Sequence, residues 1–300
     1  MKFKNLSKKQ IWGCFFVLPW IIYFTLFLAY PMFLAFRNSF LNLNLLTPAK
    51  ASFVGFGNWI EAASDPLFWQ AMFNIVYNQT IFIILSLVLG LSFAVFLKRI
   101  TTGAAIFRTV YFLPVITSIT VAMIVFKFIS GPEGPIQAFL LKWDIIKEPV
   151  FWKFSKWLPM PVLALFNSWK WFGVQMVIFL GGLSSIDQQL YEAAEIDGAS
   201  WFKQFVSITL PLLKPQIVFV LTMNIINGLQ MFTEVFMNFD LNGGPYHAAL
   251  TPVLYLYSKA FDDMQMGDAS AIGILLAAII YALTMLEMRV TQGNDEKEVI

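Results

Sequence analysis

Two apolar runs of this 300-residue chain carry side chains able to recognise a ligand. One reads LFNSWKWFGVQ and holds Asn167, Lys170, Trp171 and Gln175. The other reads TMNIINGLQMFTE and holds Asn224, Asn227, Gln230 and Glu234. Asn224, Asn227 and Gln230 are three apart, so on a helix they drift round one side. An amide both donates and accepts hydrogen bonds, and an indole offers a flat apolar face. Together they suit the hydroxyls and ring faces of a sugar. The same amides would also join helices to one another, and residue type alone leaves both readings open. Lys170 could hold an anionic group such as a uronate or phosphate. The preferred reading is a lysine near the membrane surface that snorkels. Glu234, near the outer end of its run, reads as interfacial or paired with another subunit.

Other chemistry is thinly represented. His247 stands alone in a loop and reads as a surface or packed histidine. Gly243, Gly244 and Pro245 make a turn more readily than a phosphate cradle. There is no G-x-x-x-x-G-K-[ST], so the chain is not expected to bind ATP itself. Cys14 is the single cysteine, which excludes an internal disulfide and a cysteine-cluster metal site. Glu192 and Glu195 are three apart, but no metal-spaced histidine or second acidic cluster accompanies them. A membrane-embedded enzyme acting through loop carboxylates is therefore a weak alternative. An ion-coupled secondary carrier is another; it would show inverted repeats and several buried acids, and neither is found.

The positioning elements follow from composition. Hydrophobic residues make up 58% of the chain and charged ones 13%, against about 25% charged in a soluble domain. Such a chain cannot cover its apolar surface, so lipid is its solvent. A helix needs about 20 apolar residues to cross a bilayer. Six stretches qualify, near 11–36, 73–97, 110–129, 161–183, 217–236 and 269–288. Backbone groups cannot be left bare in hydrocarbon and the runs do not alternate, so helices are predicted rather than barrel strands. The expected fold is all-α and integral to the membrane. The basic N-terminus MKFKNLSKKQ leads into bulky residues, which reads as a retained span rather than a cleaved signal.

Between the runs lie polar segments of unequal character. Lys2, Lys4, Lys8 and Lys9 precede the first span, which favours a cytoplasmic N-terminus. Residues 1–10 then form a cytoplasmic tail, 11–290 the membrane domain and 291–300 a second cytoplasmic tail. The segments Lys98–Arg108 and 184–214 fall on the same side. Lys142, Lys147, Lys153 and Lys156 fall outside and alternate with Trp143, Trp152 and Trp157, as in an amphipathic segment at the outer interface.

The inner segment contains YEAAEIDGASWFKQFVSITLPLLKP, Tyr191 to Pro215. It reads as two short helices. Ser185 or Asp187 can cap the first, and Ser185 with Gln188 fits a capping box. Gly198 stops it, Ser200 can cap the second, and Pro211 and Pro215 mark the turn into the next span. Leu190, Ala193, Ala194 and Asp197 share one face. The paired alanines leave a small, smooth surface flanked by acids, suited to a partner's close approach.

Glu192-Ala193-Ala194, Gly198, Ile208, Leu210 and Pro211 together form a long, specific pattern. It resembles the EAA loop of permease subunits of binding-protein-dependent ABC importers. FVLPWIIYFTLFLAYPMFLAFRNSF, FVGFGNWIEAASDPLFWQAMFNIVYN, RTVYFLPVITSITVAMIVFKFI and LNGGPYHAALTPVLYLYSKAF extend the likeness over nearly the whole chain. They point to the carbohydrate branch, on the subunit similar to the larger maltose permease but with fewer helices.

The resemblance implies the six-helix type I permease fold with a cytoplasmic coupling helix. It implies a sugar or oligosaccharide as cargo and no catalytic residues. The partners would be a second permease subunit, a cytoplasmic dimer of ATP-binding subunits and an extracellular solute-binding lipoprotein. No cofactor belongs to this chain; ATP and Mg would be bound by the ATPase partner. Glu192, Ala193, Ala194, Asp197 and Gly198 would dock against that ATPase. Asn167 falls where the maltose-type subunit has a sugar-contacting asparagine. Lys170, Trp171 and Val174 fall at further contact positions with different residue types. Asn224, Asn227 and Gln230 complete the expected substrate set.

Overall fold

The computed structural model describes residues 8–100 and 103–292. Lys2, Lys4 and the tail from residue 293 lie outside the described residues. The chain divides into two compact units. The first holds the residues up to Asp65 with Leu256–Leu276; the second holds Pro66–Tyr255 and the chain from Ala277 onward.

The first unit opens with helix α1, Lys8–Tyr23, which runs through a π turn, Phe24–Ala29, into α2, Tyr30–Asn38. The wide turn sits just ahead of Pro31. Proline donates no N–H and its ring crowds the carbonyl four residues back. The spiral opens there, and Tyr30 bonds the carbonyl of Thr25 instead. From Trp12 to Asn38 this helix is apolar, and none of its residues is buried within the chain. A two-stranded hairpin follows, β1 Leu41–Asn42 and β2 Ser52–Phe53, then α3, Gly57–Ser64. The buried Asn58 amide donates to the carbonyls of Ser39 (3.0 Å) and Leu41 (2.9 Å), fixing the hairpin on α3.

The second unit is built on α4, Pro66–Arg99. Then come α5, Ala104–Ile116; α6, Ile119–Ser130; α7, Pro135–Lys142; and α8, Pro159–Ser185. Helices α4 and α8 are unbroken and lie against each other. Ala94, Leu97, Met176, Phe179, Leu180 and Leu183 are buried in the core between them. Two side chains of α4 also tie it to α8 near both ends of their contact. Asn78 donates to the carbonyl of Met160 (2.8 Å), and the Lys98 ammonium donates to the carbonyl of Leu183 (2.9 Å).

The third apolar run, read from the sequence as one helix over 110–129, is two. Thr117 and Ser118 are extended, with ψ of 139° and 134°. The break frees the carbonyl of Pro114, whose helical donor would have been the N–H of Ser118. Lys170 replaces that donor: its Nζ lies 2.8 Å from the carbonyls of both Pro114 and Thr117. The outer segment also differs from expectation. Trp143 and Trp157 are exposed, but Trp152 is only 5% exposed and meets the edge of Phe239.

Beyond α8 come α9, Gln188–Ile196, and α10, Trp201–Gln204. A second π turn, Phe205–Thr209, again just ahead of a proline, leads into α11, Leu210–Leu212. Helix α12, Lys214–Gly228, then leaves at a bend of 64°. The expected span 217–236 does not continue as one helix: α12 stops at Gly228, and only a short α13, Thr233–Phe236, follows. The side chain of Thr251 satisfies the carbonyl freed at Met231 (2.9 Å). The chain ends with α14, Pro252–Phe261, and α15, Met266–Gln292.

Two cations at the end of α4 hold the α9–α10 segment. Lys98 lies over the ring of Tyr191 (4.9 Å to its centroid) and Arg99 over that of Trp201 (5.0 Å). Each contact is worth about 0.5–1 kcal/mol at an exposed site. Replacing both cations by methionine should therefore speed amide hydrogen exchange across Gln188–Ile196 by roughly tenfold. Unchanged exchange would show that other contacts fix the segment.

Candidate functional site

The early end of α12 opens a cavity of about 450 Å³ within the second unit, inside the range of about 300–1,000 Å³ usual for ligand pockets. Helix α8 contributes Asn167, Trp171, Val174 and Gln175; α12 and the turn beyond it contribute Asn224, Asn227 and Gln230. Six of the seven substrate-binding candidates thus share one wall-lined space, with Gln175 beside them.

Lys170 is the exception. It does not line the cavity, it is 1% exposed, and its ammonium is held by the α5–α6 break. Both sequence readings of Lys170, as an anion holder and as a snorkelling side chain, give way to a tie between helices. The reason is geometric: Trp171 and Val174 face the cavity, while Lys170, on a neighbouring strip of α8, faces α5. Its charge also sits over the Trp171 ring, 5.1 Å from the centroid.

The amides are partly engaged with one another. Gln175 donates to Asn224 (3.2 Å), and Asn167 donates to the sulfur of Met231 (3.3 Å). Asn227 and Gln230 turn back on their own segment, donating to the carbonyls of Met223 (2.8 Å) and Ile226 (2.7 Å). Four buried amide atoms of cavity-lining residues have no partner among the described residues: Gln79 Oε1, Asn167 Oδ1, Gln175 Oε1 and Asn224 Nδ2. A buried polar atom left bare costs about 1–3 kcal/mol, so the wall carries a polar cost that the described residues do not offset.

Gln79, Gly228 and Glu234 are among the cavity residues that the sequence reading did not place there. Gln79 and Gly228 meet across α4 and α12, so closely that a Cβ at residue 228 would collide with the Gln79 amide. Glu234 also lines the cavity and is 8% exposed, rather than facing the interface. Helical spacing from Asn227 could not place Glu234, because α12 ends at Gly228 and α13 starts only at Thr233.

The second candidate surface is α9. Asp187, not Ser185, caps it, accepting from the N–H of Gln189 (3.0 Å); Ser185 bonds back to the carbonyl of Gly182. Ser200 caps α10 through the N–H of Lys203. Gly198 ends α9 with φ of +74°, a left-handed conformation that costs any side chain with a Cβ about 1–2 kcal/mol. Glu192, Ala193, Asp197 and Gly198 are exposed and Ala194 is half-buried. Ile196, which sequence reasoning passed over, is 88% exposed among these acids.

Comparison with known proteins follows the same lines. The model of the family described as "binding-protein-dependent transport system inner membrane component" matches residues 51–292. The arabinooligosaccharides transport system permease protein AraP of Bacillus subtilis (strain 168) is 34% identical, over 92% of this chain and 87% of its own. The lactose transport system permease protein LacF of Rhizobium radiobacter is 31% identical, over 92% of each chain. A chain of a solved bacterial ABC transporter involved in import of the acidic polysaccharide alginate superposes with a TM-score of 0.80 at 22% identity, over 95% of this chain and 96% of that one. The fold is thus that of an ABC importer permease, and the chain belongs to the family of binding-protein-dependent transport system inner membrane components.

Proposed function

We propose that this chain is one of two membrane subunits forming the path of an ATP-driven importer for a sugar or oligosaccharide. The observation that carries this reading is the cavity itself. Its wall combines an indole with several amides whose buried atoms lack partners. A sugar supplies both an apolar ring face for Trp171 and hydroxyls for the amides. The two relatives bear names of oligosaccharide and lactose transport, which supports the same class of cargo.

A separate subunit would supply ATP hydrolysis, with ATP and Mg held there. Its surface would receive α9, with Ala193 and Ala194 letting it approach closely and Ile196 entering a cleft. Glu192 and Asp197 would give it polar contacts. A solute-binding lipoprotein outside the cell would deliver the sugar. Both termini and the α9–α10 segment would then face the cytoplasm of a bacterial cell. Binding of nucleotide and of the loaded binding protein would favour different conformations of the helices, which is all that alternating access requires thermodynamically.

Two experiments test the two halves of this reading. Gly198→Val forces a β-branched residue into a left-handed conformation and should cut cellular uptake at least tenfold while leaving membrane insertion intact. Normal uptake by a correctly inserted variant would remove α9 from the coupling role. Asn227→Ala, in the assembled complex, should lower ATP hydrolysis stimulated by sugar-loaded binding protein several-fold. Stimulation and uptake that both match the unmodified protein would remove the cavity from the transport path.

A further inference from the structure

We infer that Glu234 is a sugar-contacting acceptor that makes this cavity favour uncharged sugars and turn away anionic ones. This rests on the cavity being the sugar site and names the class of sugar that fits it.

The first ground is charge. Among the described residues that line the cavity, Glu234 is the only charged one. Lys170, the cation nearest at hand on α8, commits its ammonium to the carbonyls of Pro114 and Thr117 and does not line the cavity. A uronate, sulfonate or phosphate entering this space would meet a carboxylate and no cation. Glu234 is itself only 8% exposed, and a charge so buried is screened less than one at the surface.

The second ground is independent of charge and concerns which atoms are left open. Asn78 donates to the carbonyl of Met160, which can only accept. Gln79 in turn donates to the Asn78 oxygen (3.1 Å), and its own oxygen is buried against Gly228 without a partner. Asn227 and Gln230 likewise point their nitrogens at backbone carbonyls. Asn167 Oδ1, Gln175 Oε1 and Asn224 Nδ2 are buried without partners, whereas Asn227 and Gln230 are exposed and leave their oxygens free. The two exposed amides of the wall, Asn227 and Gln230, therefore offer their oxygens to the cavity. Sugar hydroxyls can donate to such a wall. An ionised acid group has only acceptors to offer and would leave those oxygens bare. Glu234 completes the wall with two carboxylate oxygens, which can accept from a pair of neighbouring hydroxyls, and Trp171 supplies a face for the ring.

The test uses the importer assembled with its partner subunits in nanodiscs, without the binding protein, so that only the membrane path chooses. Arabinotriose, maltotriose and galactotriose are compared with trigalacturonate, which differs from galactotriose essentially by an acid group in place of each C6 alcohol. Binding is read by saturation-transfer difference NMR, with Asn224→Ala as the marker that a signal comes from the cavity. We expect at least one neutral trisaccharide to bind at least tenfold more tightly than trigalacturonate, and Glu234→Gln to narrow that ratio at least fivefold. The comparison on the unmodified protein stands even if Glu234→Gln fails to assemble. Trigalacturonate binding as well as the neutral sugars, with both lost in Asn224→Ala, would overturn the inference and leave the cavity as the sugar site. A neutral preference that Glu234→Gln leaves unchanged would overturn the part given to this residue. Binding of no probe, or binding indifferent to Asn224→Ala, would overturn the sugar role of the cavity and this inference with it.

Discussion

No carbonyl freed by a broken helix can stay bare in hydrocarbon, and the structure is organised around meeting that demand. Two apolar stretches break, and side chains of other elements answer the carbonyls freed there. Lys170 of α8 answers Pro114 and Thr117 between α5 and α6. Thr251 answers Met231 after α12, and Lys127 of α6 donates to the carbonyl of Met237 beyond α13. Each answer comes from a residue distant in sequence, so each also fixes how helices stand against one another. The cavity lies where α12 stops at Gly228, and Thr251 holds the turn that follows.

Unbroken and broken helices divide the labour. Helix α4 runs for 34 residues without a kink, and Gln79 in the cavity and Lys98 beneath α9 both belong to it. At 1.5 Å per residue these two positions are about 28 Å apart along a stiff rod. Helix α8 makes a second such link, from Asn167 and Trp171 to the residues leading into Asp187. Helices α5 and α6, and α12 with its 64° bend at one end and the turn at Gly228–Phe232 at the other, offer points where torsion can change. On the proposed coupling role of α9, α4 and α8 would be the stiff connection between it and the cavity.

Much of this was legible in the residues, and for definable reasons. Composition specifies apolar helices because lipid allows no other backbone arrangement for such runs. Gly198 declares a helix end because glycine alone takes φ of +74° freely. The grouping of Asn167, Trp171 and Asn224 was readable as polarity misplaced in apolar runs. The breaks were not readable. Pro114 sits inside α5 without ending it, and the helix fails three residues later, where Thr117 and Ser118 give only a weak local signal. Lys170 was misread for a related reason: periodicity assigns a face to a residue but not the neighbour behind that face. Asp187 took the capping role because Ser185 still belongs to α8 and the chain turns extended only at Ile186 and Asp187.

Lys170 and Glu234 show why position decides chemistry more than residue type does. The two opposite charges are close enough to attract each other, yet only the acid belongs to the cavity wall. Had the α5–α6 break been absent, Pro114 would keep its helical donor and the Lys170 ammonium would need another acceptor. Glu234, nearby, is the evident one, and the cavity would then present a neutralised pair instead of an acceptor. The break in one helix therefore sets the electrostatic character of a space lined by two others. That character is written in a few side chains and in where their carbonyl partners happen to be freed.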